Sequence, residues 1–303
     1  MVRARDEKTT KNGEPFAILQ LGNATGQIAA NIWKEELPGI TAVKPGSIVQ
    51  VIGTIETYQN KRQLKLTAPP RIVASSATNL DEFLPSASVT PPALWEQIDK
   101  WRGAIRSPKL RTVVDLFFAD DAFRAAFERT PGAPRGHHAV LGGLLLHVVE
   151  VATIARGAVK TMHGDVDLVT AGALLHDIGK VETYAITAAG FEFTQAGHLL
   201  QHVVLGSLML DRRLRNLPTG TLTETQELEL QHFIQSHHGI PEHGAAARPL
   251  TPEADLPHRA DQSSAKGHKF TDHMTGAERC SGCAESHLRR FWRIQPRSVP
   301  RRA

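Results

Sequence analysis

The chain contains little of what stabilises secreted proteins or carries proteins across membranes. Among its 303 residues only two are cysteines, Cys280 and Cys283, so disulfide bonds are not a general device of its fold. Polar residues interrupt its apolar runs well short of the roughly 20 residues that a membrane-spanning helix needs. The opening MVRARDEKTT lacks the apolar core of a secretion signal. We therefore expect a cytoplasmic globular protein that does not bind membranes.

Histidine is missing from a large part of the chain. The first 136 residues contain none, and all 15 lie between His137 and His287. Charge is divided as unevenly, because the net charge is +4 over residues 1–75, −6 over residues 76–285 and +6 over residues 286–303. Basic ends around an acidic, histidine-rich middle suit a polyanionic ligand and a cation site at the centre.

Residues 1–75 show the pattern of short β-strands. Ala17, Leu19 and Leu21 share one face of an apolar run that begins at Phe16. Four or five such runs, with one break over residues 35–45, predict a small β-barrel. An OB-fold has this size, although an SH3-like barrel gives a similar pattern.

The remainder of the chain is predicted to be mainly helical. A linker rich in serine, proline and threonine covers residues 76–94, and Trp95 begins a helical pattern. The predicted fold class is multidomain α and β: a small β-barrel, then an all-α domain over residues 95–275 with a β-hairpin at residues 183–194. A basic tail follows at residues 276–303. Further helices are predicted at residues 139–163, after a cap at Asp165, at residues 198–217, at residues 224–238 after a cap at Thr223, and from Thr251.

The histidines and acids of the second domain recur within or beside predicted apolar helices. Helix packing would hold such side chains rigidly, as a pre-organised metal site requires. The absence of thiolates from the set argues against structural zinc and suits Mn, Fe, Ni, Co or catalytic Zn. More than four ligands indicate two ions, with Asp177 as the natural bridge, and two nearby ions commonly serve displacement at phosphorus. The candidate ligands are His147, His176, Asp177, His202, His237, His238 and Asp261.

Five segments in order carry a resemblance to a known family. HDIGK at residues 176–180 resembles the motif of the HD superfamily of metal-dependent phosphohydrolases. HHAVLGGLLLH at residues 137–147, SHHG at residues 236–239 and HRAD with a following Ala-Lys at residues 258–266 are similar to signatures of one branch. This branch is the YhaM-type 3′→5′ exoribonucleases, in which an N-terminal OB-fold, resembled here by residues 9–26, precedes an HD domain.

The resemblance implies a nuclease that depends on a divalent metal, typically Mn, with Mg as a further candidate. It implies the seven ligands named above, Asp177 at the catalytic centre, and Lys180 and Lys266 facing the phosphate. A metal-bound hydroxide would attack phosphorus in line with the leaving 3′-oxygen of single-stranded RNA, or of single-stranded DNA, and release nucleoside 5′-monophosphates. Read from the residues alone, Lys180 could instead complement a helix dipole.

The chain departs from the family pattern at three places. Leu146 stands where the signature has an acidic residue, and Gly244 to Ala246 replace a Gly-Ser-Pro. Pro257 directly precedes His258, and proline is unfavourable inside a helix. We therefore expect disturbed geometry at Asp261.

The barrel offers candidate contacts to a nucleic-acid strand, because an OB-fold holds single strands by basic groups and stacked bases. The candidates are Lys11, Trp33, Tyr58, Lys61 and Arg62. The pattern favours Trp33 as a core residue, together with Phe16, and it leaves Tyr58 balanced between a structural and a binding role.

Two rival functions remain open from the sequence. A nucleotidase or cyclic-nucleotide phosphodiesterase would use the same metal site but would not need a strand-binding barrel. A nucleic-acid-binding protein with a degenerate HD site would explain the departures from the signature. The Cys280–Cys283 pair is read as coincidental, because a zinc site would need a second pair. The sequence also leaves a homo-oligomer open.

Overall fold

A computed structural model describes residues 1–59, 61–73, 82–136, 138–187 and 190–279, with residues 268–279 in backbone only. His137, residues 76–81 of the predicted linker, the two cysteines and nearly all of the predicted basic tail lie outside the described residues. The order of elements confirms the predicted fold class, a small β-barrel followed by a helical domain. No described helix is both long enough and apolar enough to cross a membrane.

The N-terminal module is a five-stranded sheet with the strand order β1-β2-β3-β6-β5. Its strands are antiparallel except for β3 and β6, which pair in parallel. A 3-10 helix at Lys34–Ile40 follows β3. This crossover is that of an OB-like barrel rather than of a simple meander. The strands are β1 Val2–Thr9, β2 Pro15–Gly22, β3 Gln27–Ile32, β4 Val49–Gln50, β5 Gly53–Tyr58, β6 Lys61–Leu66 and β7 Arg71–Ile72, with β4 and β7 paired separately.

The first strand, β1, was not predicted, because its sequence VRARDEKT is dominated by charge. It forms one edge of the sheet, and among the described strands it pairs only with β2. Charged side chains are common on edge strands, where they discourage pairing with other chains. The predicted apolar face of β2 is buried, since Ala17, Leu19 and Leu21 all lie in the barrel core.

The helical domain packs around two central helices, α4 and α5, which contact each other and α9. Eight of the ten residues of α5 are buried, so this helix is enclosed on nearly all sides. The helices are α1 Pro91–Ala104, α2 Pro108–Phe118, α3 Asp121–Arg129, α4 Gly143–Val159, α5 Val166–Leu175, α6 Lys180–Thr183, α7 Gln195–Leu214, α8 Glu224–Ser236 and α9 Pro252–Arg279. The predicted hairpin is present as β8 Tyr184–Thr187 and β9 Gly190–Phe193.

Helix caps explain where the helices that reach the site begin. The carboxylate of Asp165 accepts hydrogen bonds from the backbone N–H groups of Asp167 and Leu168, at 2.8 and 3.1 Å. Thr223 and Gln226 form a reciprocal capping box at the start of α8. Both caps match the sequence prediction.

Other boundaries differ from the prediction. The first helix begins at Pro91, four positions before Trp95. Helix α4 begins at Gly143 instead of residue 139, because Gly142 has a positive φ angle, 74°, that an α-helix cannot contain. Pro257 lies inside α9, which continues past it.

Candidate metal centre

Five segments of the helical domain bring the predicted ligands together. His147 lies on α4, His202 on α7 and Asp261 on α9. The other four lie where helices end: His176 and Asp177 directly after α5, and His237 and His238 directly after α8. Burial is nearly complete at the centre, where His176, Asp177 and His237 are at most 1% exposed.

The carboxylate of Asp177 lies between two groups of donors, and its Oδ2 faces the first. His147 Nε2 and His176 Nε2 lie 3.3 and 3.2 Å from this oxygen. His147 Nε2 is also 3.1 Å from Asp261 Oδ1. Donor atoms of His147, His176 and Asp261 lie within 4.8 Å of one another, which is the spacing of side chains that share one ion. Lys180 Nζ approaches the same Oδ2 at 2.7 Å.

The other oxygen, Asp177 Oδ1, faces the second group. His202 Nε2 and His237 Nε2 each lie 3.5 Å from it. His202 Nε2 is in turn 3.4 Å from His237 Nε2 and 3.2 Å from His238 Nε2. Donor atoms of these three histidines also lie within 4.8 Å of one another. The structure thus places the seven predicted residues in two sets on either side of one carboxylate.

The Nε2 atoms point at the centre because the Nδ1 atoms are held elsewhere. Nδ1 of His176 lies 2.8 Å from the carbonyl oxygen of Ala173, and Nδ1 of His237 lies 2.8 Å from that of Ile234. A carbonyl oxygen can only accept, so each Nδ1 carries the proton and donates. Each Nε2 therefore presents its lone pair to Asp177, which is the state in which imidazole binds a metal.

Burial keeps the second group of histidines neutral. Burial lowers the pKa of His202 to about 3, with Asp177 opposing only part of this effect. Burial and the neighbouring His238 hold the pKa of His237 well below its usual value, and burial also lowers the pKa of His238. At neutral pH these three side chains thus carry lone pairs rather than charge.

The acids are kept ionised in spite of their burial. Burial alone would raise the pKa of Asp177, but Lys180 and the adjacent histidines hold it well below its usual range. The pKa of Asp261 is likewise lowered against the effect of burial, mainly by His147. Burial would lower the pKa of His147, but its contacts with Asp177 and Asp261 raise it.

This donor set fits a divalent cation. It combines neutral imidazole nitrogens with ionised carboxylates and contains no thiolate, a mixture suited to Mn, Fe, Co, Ni or catalytic Zn. Both oxygens of Asp177 are buried; Oδ2 forms an ion pair with Lys180, whereas no described residue donates a hydrogen bond to Oδ1. Buried carboxylate oxygens are normally hydrogen-bonded or bound to metal, so Oδ1 in particular suits coordination.

A cavity of about 400 Å³ opens onto this centre. Lys266 lies on its wall, exposed to solvent, with its Nζ 3.3 Å from Gln262 Oε1. Sequence reasoning missed two other wall residues, Gln262 and His243, because no motif spacing identifies them, although Gln262 adjoins Asp261. The cavity is lined by Gly132, His138, His147, Lys180, His238, His243, Asp261, Gln262, Ala265 and Lys266.

The expectation of disturbed geometry behind Pro257 is wrong for Asp261. Its carboxylate reaches His147 although Pro257 lies one turn earlier in α9. Pro257 falls in the second turn of the helix, where it removes one hydrogen bond without ending the helix. Lys180 is also not at the C-terminal end of α5, because it begins the single turn α6 and contacts Asp177.

The candidate contacts in the barrel are all on its surface. Trp33 is 50% exposed and stacks on Phe16 with ring centroids 5.5 Å apart, so the preference for Trp33 as a core residue is wrong. Tyr58 is 62% exposed and pairs directly with Lys61 across β5 and β6, which places both on one face.

The other two candidates lie apart from this pair. Lys11 lies in the exposed turn between β1 and β2. Arg62 is exposed and follows Lys61 on β6, so it belongs to the opposite face of the sheet.

Comparisons with known proteins match this arrangement. The HD domain family matches residues 144–266. The 3′-5′ exoribonuclease YhaM of Bacillus subtilis (strain 168) is 28% identical over 267 residues, which cover 88% of this chain and 83% of that protein. The YhaM proteins of Oceanobacillus iheyensis and Geobacillus sp. (strain WCH70) are 29% and 28% identical over 88% of this chain, and the matches cover 82% and 81% of those proteins. No solved structure matches the chain.

The matches to the YhaM proteins extend over both the barrel and the helical domain, and the HD match contains all seven candidate ligands. They confirm the resemblance that the motifs indicate. The chain is similar over most of its length to the YhaM-type 3′-5′ exoribonucleases, and its helical domain, which follows an OB-like β-barrel, matches the HD domain family.

Proposed function

We propose that this protein is a metal-dependent 3′→5′ exonuclease that shortens single-stranded RNA and releases nucleoside 5′-monophosphates. The observation that carries this proposal is the pair of donor sets on either side of Asp177, beside a cavity. The relatives that match most of the chain are named 3′-5′ exoribonucleases, which supports the choice of RNA as substrate.

The proposed metal ligands are the seven residues of the two sets, with Asp177 shared between them. One set would hold an ion through His147, His176 and Asp261, and the other through His202, His237 and His238. We propose two ions and favour Mn²⁺, since nitrogen and carboxylate donors both suit it. Such ions would supply Lewis-acid charge at the phosphate and lower the pKa of a water molecule.

The protein's own residues would orient the substrate. Lys180, buried beside Asp177, keeps a positive charge because that carboxylate raises its pKa against the effect of burial. It is placed to hold a phosphate oxygen while charge develops there. Lys266 on the cavity wall would meet a phosphate nearer the entrance. A cavity of about 400 Å³ is the size of a small-ligand site, which suits one terminal nucleotide better than the middle of a strand.

The barrel would hold the rest of the strand. We propose residues 1–75 as the strand-binding module and residues 95–275 as the catalytic domain. Exposed Trp33 and Tyr58 offer stacking surfaces, while Lys11, Lys61 and Arg62 offer charge for phosphates. A protein that hydrolyses only free nucleotides would have no use for these groups.

Purified protein incubated with Mn²⁺ and 5′-labelled single-stranded RNA tests the proposal. A ladder that shortens from the 3′ end is expected. The Asp177→Ala variant should lose cleavage by at least 100-fold and keep RNA binding, because it removes the shared ligand and leaves the barrel unchanged. The control Asp211→Ala removes a surface aspartate that pairs with Arg215 and should cleave normally.

Other outcomes would identify the rival functions. Intact RNA together with hydrolysis of nucleotides or cyclic nucleotides would indicate a phosphodiesterase of small substrates. Binding of RNA without cleavage under any divalent metal would indicate a degenerate site. A substrate labelled in the same way but made of DNA measures the preference for ribose.

A further inference from the structure

Nδ1 of His147, on the side of the ring away from Asp177, contacts Ser264 and through it Glu150, and neither residue is part of a quoted motif. This Nδ1 lies 3.0 Å from Ser264 Oγ on α9. Ser264 Oγ donates to Glu150 Oε2 at 2.6 Å, and Glu150 follows His147 by one turn of α4. His138 Nε2 lies 3.1 Å from the same carboxylate oxygen. These four side chains form a chain of contacts from the turn before α4 to the metal centre.

The direction of each hydrogen bond follows from the chemistry of the groups. A carboxylate can only accept, so the single hydroxyl proton of Ser264 goes to Glu150. The oxygen of Ser264 must then accept from His147, whose Nδ1 therefore carries a proton. In the neutral ring the lone pair of His147 then lies on Nε2, the atom that faces Asp177 and Asp261 at 3.3 and 3.1 Å and that would bind the cation.

We propose that Ser264 and Glu150 are positioning residues that fix the tautomer and ring orientation of His147 for metal binding. The inference rests on the proposed metal-dependent function and concerns only the set that contains His147. His176 and His237 are oriented by backbone carbonyl oxygens on their own helices. His147 lies inside α4, where the backbone carbonyls are used by the helix, so its orientation depends on another helix.

Direct measurement of Mn²⁺ binding tests the inference without relying on cleavage. Full-length protein is titrated with Mn²⁺, and the unbound ion is followed by its electron paramagnetic resonance signal. Ser264→Ala should weaken one binding step by about 10- to 100-fold, the usual effect of removing an outer partner of a metal-binding histidine, and leave the other step unchanged. Glu150→Gln should act in the same direction with a smaller loss, because the amide still accepts a hydrogen bond.

Two further variants separate positioning from a general effect on the helix. Ser263→Ala is the matched control, since Ser263 is exposed and bonds only to the carbonyl of Arg259 on its own helix among the contacts described. It should bind Mn²⁺ normally. Ser264→Thr keeps the hydroxyl and should restore most of the affinity.

The tautomer itself can be observed. In metal-free protein labelled with ¹⁵N-histidine, nitrogen chemical shifts distinguish a protonated Nδ1 from a protonated Nε2 at a pH where imidazole is neutral. The signal of His147 is identified by its loss in His147→Gln. Wild-type protein should keep a proton on Nδ1, and Ser264→Ala should shift the equilibrium towards the Nε2–H form, because Asp177 and Asp261 face Nε2 and favour a proton there.

The outcomes distinguish this inference from the proposed function. If the wild type binds Mn²⁺ and shortens RNA while Ser264→Ala binds equally well with an unchanged tautomer, only the positioning role is overturned. If the wild type binds no divalent metal, the proposed function is overturned and the inference with it. If circular dichroism shows that Ser264→Ala folds poorly, the Mn²⁺ titration of Glu150→Gln tests the inference instead. This variant alters the same chain of contacts at Glu150, whose side chain is partly exposed.

Discussion

Asp177 shows how a single residue can be kept charged in the interior of a protein. Burial favours the neutral acid, but the ammonium of Lys180 and the surrounding imidazoles outweigh burial and hold its pKa well below the usual range. The ionised carboxylate then has two oxygens available, one for each donor set. Lys180 therefore has two roles at this scale, as the counter-charge of Asp177 and as the proposed phosphate contact.

Gly179 gives the first prediction at the residue scale, because it lets α7 approach the loop that carries Asp177. A methyl group added to Gly179 would overlap the backbone oxygen of His202 and the backbone nitrogen of Gly206. Gly179→Ala should therefore push α7 outwards, lower the free energy of unfolding by about 1–3 kcal/mol and weaken Mn²⁺ binding. Urea unfolding and the Mn²⁺ titration measure both effects.

The control for this substitution is Gly157→Ala, on the same domain. Gly157 lies within α4, and an added methyl group would meet nothing within 4 Å. Alanine is the better helix former, so this variant should gain about 0.5–1 kcal/mol and bind Mn²⁺ normally. Normal Mn²⁺ binding by Gly179→Ala would show that the close approach of α7 does not set the position of His202.

At the scale of elements, the site is built by one device used twice. Helices α5 and α8 both end at a histidine whose Nδ1 donates to the carbonyl three residues earlier. In each case the next residue, Asp177 or His238, also reaches the centre. The end of a helix supplies carbonyls without intrahelical partners, so it can orient a histidine without help from another element.

Much of this could be predicted at the level of elements. The caps at Asp165 and Thr223 were visible because a short polar side chain precedes an apolar periodic run. The start of α4 was not visible, since the residues before Gly143 are apolar enough for a helix and only the positive φ angle of Gly142 excludes it. Strand β1 could not be predicted, because its sequence is dominated by charged residues. Such residues are tolerated at the edge of a sheet, but which strand forms the edge depends on how the strands pair.

Pro257 leads to a prediction at this scale. Within a helix a proline lowers the free energy of unfolding by about 3 kcal/mol relative to alanine. The ring of Pro257 is buried, so replacing it with alanine also loses apolar contact, which offsets roughly half of that gain. Pro257→Ala should thus raise the free energy of unfolding by about 1 kcal/mol and leave Mn²⁺ affinity unchanged. Pro252→Ala is the control, because Pro252 occupies the first position of α9, where proline is favourable, and its replacement should not stabilise. Weaker Mn²⁺ binding by Pro257→Ala would mean that the proline helps to place Asp261.

At the scale of the whole molecule, the two modules were predictable to different degrees. The candidate metal ligands could be anticipated as a set, because their motifs keep fixed spacings along helices and loops. The division of these ligands into two groups around Asp177 could not be predicted, since this division depends on how α4, α7 and α9 pack in three dimensions. The surface position of Trp33 was equally hidden, because an aromatic residue after an apolar strand is buried or exposed according to which elements cover it.

The proposed division of labour between the modules predicts that the barrel matters in proportion to the length of the RNA. Trp33→Ala and Tyr58→Ala should each raise KM for a long single strand at least fivefold, since stacking of one base on an aromatic ring contributes about 1–3 kcal/mol. Neither should change the hydrolysis of a dinucleotide, because in this proposal the barrel holds only the part of the strand beyond the terminal nucleotides. Leu228→Ala, which truncates a side chain on α8 that is as exposed as Tyr58, is the control and should leave both substrates unaffected. Steady-state rates on the two substrates decide the matter, because equal losses on both would place these aromatic residues in the folding of the protein and not in holding the strand.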